Sequence, residues 1–248
     1  MSAKAPEKIL VINGSPKCRG SLTLKLTEAF IEGMLSVRDC TVQYINVSEK
    51  KIKPCTGCLS CWGRTEGECV ITGDDIPEIR DSILSSDYVI ESFPIYFFGM
   101  PGTLKVMTDR LLGIMCTFSG QEIDPIKTER HALRSPKEGQ RLALITSCGF
   151  SESGDVFEPV MKQYDLVFGK GKYSYLCVPQ LKALAQAGSG QRLEKLQALA
   201  REAGAQFISS GKIAPELVQT LSKPILSQKT YRVLMEKFWH DEKDEVSK

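Results

Sequence analysis

Cys55, Cys58, Cys61 and Cys69 are the residues whose types and spacing most directly imply chemistry. They stand in IKPCTGCLSCWGRTEGECVI as C-x2-C-x2-C, followed by seven residues and a fourth thiol. Three thiols at that spacing can wrap one face of an iron–sulfur cube, with the fourth ligand supplied by a short loop. Structural zinc more often uses two CxxC knuckles separated by a dozen or more residues. A dithiol redox pair needs only one CxxC, and two overlap here. Spacing alone leaves three readings open: a [4Fe–4S] cluster, free or redox-sensing thiols, and zinc.

A second chemical segment lies near the start of the chain. VINGSPKCRGSLT reads as a strand, a Gly-containing turn bearing hydroxyls and cations, and a helix start. A helix N-terminus offers unpaired N–H groups and a positive dipole, and Gly14 and Gly20 let the backbone approach a ligand closely, so the turn suits a phosphate. Ser15, Ser21 and Thr23 add hydroxyls, and Lys17 adds charge. Neither G-x-G-x-x-G nor G-K-[ST] is present, which excludes the dinucleotide fingerprint and the P-loop. The competing reading is an ordinary strand–helix turn with a serine N-cap.

The elements that must position these residues alternate along the chain. Ile9–Ile12 is a short apolar run, as expected of a strand buried on both faces. Further strands are expected at Thr41–Val47, Tyr88–Phe93, Arg141–Thr146 and Tyr173–Val178. Helices are expected at Ser21–Leu35, from Asp74-Asp75 to about Ser85, and at Pro101–Met115, Asp155–Phe168 and Gln191–Ser210. This alternation predicts an α/β fold with a parallel sheet covered on both faces. Ligands then bind at the carboxyl ends of the strands. That rule selects Asn13–Gly20, Pro94–Met100 and Ser147–Gly154, and it puts the cysteine loop, residues 53–73, on the same rim. Residues 116–140 read as a long insertion, and 211–248 as a helical extension. There Tyr231, Leu234, Met235, Phe238 and Trp239 fall on one apolar stripe, suited to packing on its own domain or on a partner subunit.

Composition narrows the function classes. The 248 residues carry 25% charged and 42% hydrophobic side chains with a net charge of +2, giving no bulk electrostatic case for nucleic acid or an anionic membrane. No apolar run reaches membrane-spanning length. Nine cysteines behind a start without a secretory pattern point to a reducing, cytoplasmic setting. With only two histidines, His131 and His240, a His-rich metal site or a Ser-His-Asp hydrolase is a poor fit.

GSPKCRGS after the first strand and ESFPIYFFGMPGTLKVMTDRL after the third resemble the NADPH-dependent FMN reductase and iron–sulfur flavoprotein group of the flavodoxin superfamily. The matching residues of the second segment are Pro94, Tyr96, Gly99, Lys105, Asp109 and Arg110. The resemblance covers about residues 7–205, including the cysteine segment with its trailing Asp-Asp. Relatives carry Asn-Thr where this chain has Ser21-Leu22, so the hydroxyl at Leu22 is lost. The resemblance implies a doubly wound, five-stranded parallel sheet in the order 2-1-3-4-5, with residues 1–210 forming an FMN-binding domain. It implies FMN held by Ser15, Lys17, Gly20, Ser21, Leu22 and Thr23, with Pro94, Ile95, Tyr96, Phe97, Phe98 and Gly99 wrapping the ring and Ser147, Cys148 and Gly149 at its pyrimidine edge. Phe93 is expected in the core, Cys148 as an unreactive apolar filler, and Asp109 and Arg110 as structural supports. No general acid or base is expected, because flavin chemistry needs none. The implied activity is NAD(P)H-dependent reduction of flavin, quinone or a similar small acceptor, with the four cysteines holding a [4Fe–4S] cluster. The alternative is a relay that takes electrons from a ferredoxin-like protein without a dedicated small substrate. Either would be a homodimer or homotetramer.

Overall fold

A computed structural model describes residues 5–118, 131–134, 137–186 and 190–246. Five strands, β1 (Glu7–Asn13), β2 (Cys40–Asn46), β3 (Tyr88–Pro94), β4 (Arg141–Ser147) and β5 (Ser174–Val178), form one sheet in the order 2-1-3-4-5. Every pairing is parallel, which is the doubly wound arrangement expected. The register aligns Asn13 with Asn46 and Ser92, and Ser147 with Pro94 and Val178, so the strand ends form one continuous rim. The chain turns from β1 to β2 on one side and returns to β3 on the other. The crevice therefore opens after β1 and β3, at the topological switch point.

Period-two alternation in the strands divides the core into two layers. Ile9, Val11, Ile90, Ile145, Leu176 and Val178 face α1 (Leu22–Val37) and α6 (Gly190–Ser210). Leu10, Ile12, Val89, Leu144 and Cys177 face α2 (Ile76–Ser85), α3 (Gly102–Arg110) and α4 (Glu158–Phe168). On the first face, α1 and α6 approach until their backbones nearly touch. A Cβ on Gly33 would lie 1.9 Å from the Arg201 carbonyl oxygen, and one on Gly204 would lie 1.9 Å from that of Phe30, so neither position admits a side chain.

Three helices complete the chain: α5 (Leu181–Gln186), α7 (Pro215–Ser222) and α8 (Gln228–Val246). The stripe on α8 faces inward, with Met235 buried and Tyr231, Leu234 and Phe238 packed on the first core layer, while Trp239 stays 54% exposed. Gln180 ties this extension to the sheet. Its fully buried amide donates to the carbonyls of Ser151 and Leu226 and accepts from the N–H groups of Ile225 and Leu226. That uses both its donors and both its lone pairs.

The helix expected at Pro101–Met115 is two pieces. α3 ends at Arg110, and a 3-10 turn, Leu111–Ile114, follows. The helix expected from Asp155 begins only at Glu158. Most of the insertion expected at 116–140 lies outside the described residues.

Candidate functional site

The turn after β1 is organised by a buried asparagine. Asn13 accepts from the Ser15 N–H (3.1 Å) through its Oδ1, while its Nδ2 donates to Asn46 (2.9 Å) and to the Cys18 carbonyl (3.3 Å). Cys18 lies in the left-handed region at φ 44°, which doubles the chain back toward α1. Ser21 is the N-cap of α1, its Oγ accepting from the Leu24 N–H at 3.2 Å. The N-cap reading and the phosphate reading are therefore compatible. The cap takes one orphan donor, the first turn of α1 holds no acidic residue, and the other leading N–H groups have no intrahelical acceptor.

The three rim loops are bonded to one another. The Gly14 N–H donates to the Ser92 carbonyl (2.9 Å), that of Ile95 to the Ser147 carbonyl (2.7 Å), and that of Cys148 to the Val178 carbonyl (3.1 Å). Thr23 Oγ1 and Ser147 Oγ lie 2.6 Å apart, linking α1 to the turn after β4. Backbone bonds and buried hydroxyls thus preorganise the rim before any ligand arrives.

Twelve of the fifteen residues expected around a flavin line one cavity of about 410 Å³: Ser15, Lys17, Gly20, Ser21, Leu22, Thr23, Pro94, Ile95, Tyr96, Ser147, Cys148 and Gly149. Its size suits a small-molecule cofactor. Among the described residues its lining holds two lysines and no carboxylate. Phe97, Phe98 and Gly99 stand outside that lining. Phe97 and Phe98 occupy the left-handed region, at φ 50° and 61°, in a turn closed by paired 3.0 Å bonds between Tyr96 and Gly99. Phe97 is fully exposed, whereas Phe98 stacks on Phe150 at 5.4 Å. Burial pushes the Cys148 thiol above its ordinary value, so it stays a neutral, apolar wall. Phe93 is wholly buried.

Sequence reasoning did not pick out Leu181, Lys182 and Ala185, which complete the lining from α5. The signal for that helix was the short apolar spacing in QLKALAQ. It missed Asn13 as an organiser because only the fold places Asn46 beside it.

The cysteine loop leaves the next strand and lines none of this cavity. Its ends are clasped by Arg110, whose side chain and that of Asp74 are completely buried. Arg110 donates to the carbonyls of Lys53 (2.7 Å) and Ile71 (3.0 Å) and to Asp74 at 2.5 Å, while Asp74 also accepts from the Lys53 N–H. Burial alone would raise the Asp74 carboxyl, but the Arg110 guanidinium and the backbone donors hold it below its ordinary value. Arg110 is thus a support, as expected, although what it supports is the loop. Lys105 and Asp109 form an exposed pair at 2.5 Å. Trp62 anchors the loop, donating to the Leu112 carbonyl at 3.1 Å, with the His131 ring 4.4 Å away.

Cys55 and Cys58 are exposed, whereas Cys61 and Cys69 are partly covered. Hydrogen bonds from the Ser60 hydroxyl and N–H and from Thr56 hold the Cys58 thiol below its ordinary value, and burial pushes that of Cys61 up. Among the described residues no three His, Cys, Asp or Glu side chains gather as a metal-holding group. Among the described residues no helix is long and apolar enough to cross a membrane.

Comparison with known proteins follows the same division. Residues 7–120 match the model of the NADPH-dependent FMN reductases. An iron–sulfur flavoprotein of Methanocaldococcus jannaschii is 34% identical over 103 residues, covering 42% of this chain and 51% of that one. The chain thus spans about half the length of the curated iron–sulfur flavoproteins it matches. An FMN-dependent NADH:quinone oxidoreductase of Pseudomonas fluorescens is 25% identical over 63% of this chain and 79% of that one. Among solved structures, an FMN-dependent NADH-azoreductase of Bacillus anthracis in complex with FMN superposes with a TM-score of 0.57. At 18% identity it covers 82% of this chain and 100% of that one, and it shows the fold alone. Through residues 7–120, on a flavodoxin-like sheet, the chain is similar to the NADPH-dependent FMN reductases.

Proposed function

We propose that the rim cavity holds FMN and that the protein is an NAD(P)H-dependent flavin oxidoreductase acting on a quinone or similar small acceptor. The observation that carries this reading is the convergence of the β1, β3 and β4 loops on one cavity that has hydroxyls, a lysine and a helix N-terminus along one side. Lys17, Ser15 and the start of α1 would hold the phosphate by charge and N–H donation. Pro94–Tyr96 and Ser147–Gly149 would flank the ring. When bound, FMN supplies hydride acceptance and electron release, chemistry that none of these side chains performs. The protein's part is to orient the ring, keep the Cys148 thiol neutral beside it and leave one face open. Protein purified from expression should be yellow, release about one FMN per chain and oxidise NAD(P)H with a quinone. Colourless protein that stays flavin-free after incubation with FMN would remove the reading.

A second reading, electron relay through an iron–sulfur cluster on the cysteine loop, is supported by the C-x2-C-x2-C spacing and by the curated relatives named iron–sulfur flavoproteins. It requires the loop to gather its four thiols beyond what the fold shows. Iron and sulfide analysis after anaerobic purification decides it: about four irons per chain support the relay, and none removes it.

A further inference from the structure

The cavity has a second cation that the phosphate cradle does not use. Lys182 stands on α5, the helix after β5, whereas Lys17 belongs to the turn after β1. Both line the cavity, and among the described residues that lining has no carboxylate. FMN carries a single phosphate group, which on the proposed reading Lys17, the hydroxyls and the α1 terminus would hold.

What fixes Lys182 is aromatic. Its Nζ lies 4.2 Å from the centroid of the Phe238 ring, on α8. An aromatic face holds an ammonium by its quadrupole and leaves the charge uncancelled, whereas a carboxylate partner would neutralise it. The same helix bonds to another wall of the cavity, since Tyr231 Oη donates to the Gly149 carbonyl. α8 therefore touches the cavity wall at two points, and both lie outside the family match at residues 7–120.

We infer that Lys182 is a docking cation for an anionic group of the second substrate, and that Phe238 on α8 sets its position. The inference rests on the cavity holding FMN. The anion could be a phosphate of the nicotinamide donor or an acidic group of the acceptor, and both would use the same charge-assisted hydrogen bond.

The test compares wild type with Lys182→Met, Lys182→Arg and Phe238→Leu, all as FMN-loaded protein. FMN affinity is read by fluorescence titration. The donor arm is calorimetric titration of ADP-ribose, which is anionic and cannot be reduced. The acceptor arm is the KM for a naphthoquinone sulfonate relative to the uncharged naphthoquinone. Lys182→Met is expected to weaken one anionic arm about tenfold, with FMN affinity within about twofold of wild type. Lys182→Arg should restore most of that loss, and Phe238→Leu should cost about threefold in the same arm. An equal loss of FMN affinity in Lys182→Met would assign the cation to the cofactor phosphate and overturn the inference. So would unchanged values in both anionic arms. No effect of Phe238→Leu overturns the positioning role. If wild type binds no FMN, the first titration shows it, and the parent reading falls together with this one.

Discussion

The turn after β1 and the loop after β2 leave the same rim of the sheet from adjacent strands, yet they are held in different ways. In the turn, Ser15, Ser21 and Thr23 are each only 2% exposed: the Ser15 and Ser21 hydroxyls accept from the nearby Lys17 and Leu24 N–H groups, and that of Thr23 bonds to Ser147 in the turn after β4. Many modest, neutral bonds share the task. The cysteine loop is mostly exposed; Trp62 anchors its middle, and one buried ion pair, Arg110 with Asp74, clasps its ends. A distributed network tolerates loss of any one member, whereas a single buried pair does not, because removing one partner leaves an uncompensated charge. The difference separates a preorganised cavity from a loop whose thiols remain available.

The largest effect that would sharpen this contrast comes from Arg110→Met. It should cost about 3–5 kcal/mol in urea unfolding, because Asp74 is left charged and buried. Asp74 has its folded pKa lowered, so its contribution is present above its unfolded value of about 3.9 and is lost as pH falls through the folded value. The gap between variant and wild type should accordingly narrow in acid. A gap below about 1 kcal/mol at neutral pH would show that the loop is not hung from this pair.

Thr23→Val tests the opposite region. It keeps shape but removes the partner of the buried Ser147 hydroxyl, at an expected cost of about 1–2 kcal/mol and with a measurable drop in FMN affinity. A loss as large as that of Arg110→Met would erase the distinction between shared and single supports. Smaller still, Trp62→Phe removes one bond to the Leu112 carbonyl and should cost about 1 kcal/mol, read as faster proteolysis within residues 53–73.

The last expectation leaves stability unchanged and concerns rate. In native protein near neutral pH, alkylation followed by mass spectrometry should label Cys58 before Cys61. The Cys58 thiol is held low by Ser60 and Thr56, while that of Cys61 is pushed up by burial. Cys177, pushed up to about 12 by burial, should stay unlabelled until unfolding. Labelling of Cys61 ahead of Cys58 would contradict the exposed arrangement of the loop.

Much of this was legible before folding. Ile9–Ile12 and Tyr88–Phe93 announce buried parallel strands because both faces of such strands must be apolar. The turn at Asn13–Gly20 was readable because helix starts have local rules that a few residues satisfy. α5, with 6 residues, was missed, since its helicity depends on packing rather than propensity. The break after Arg110 was hidden for a similar reason. The clasp on the cysteine loop is what Arg110 satisfies, and its partners Lys53, Ile71 and Asp74 lie far back in the chain.

The sequence by itself therefore determined the sheet, its order through family resemblance, and the three loops that meet at its rim, because strand periodicity, turns and caps are local properties. Only the tertiary structure decided which of those loops share a cavity. It alone placed Phe97 and Phe98 outside that lining and put Lys182 and α8 against it. It also set the four cysteines on a clasped, exposed loop without gathering them. Those outcomes depend on contacts between residues distant in sequence, whose energies exist only once the chain has closed on itself.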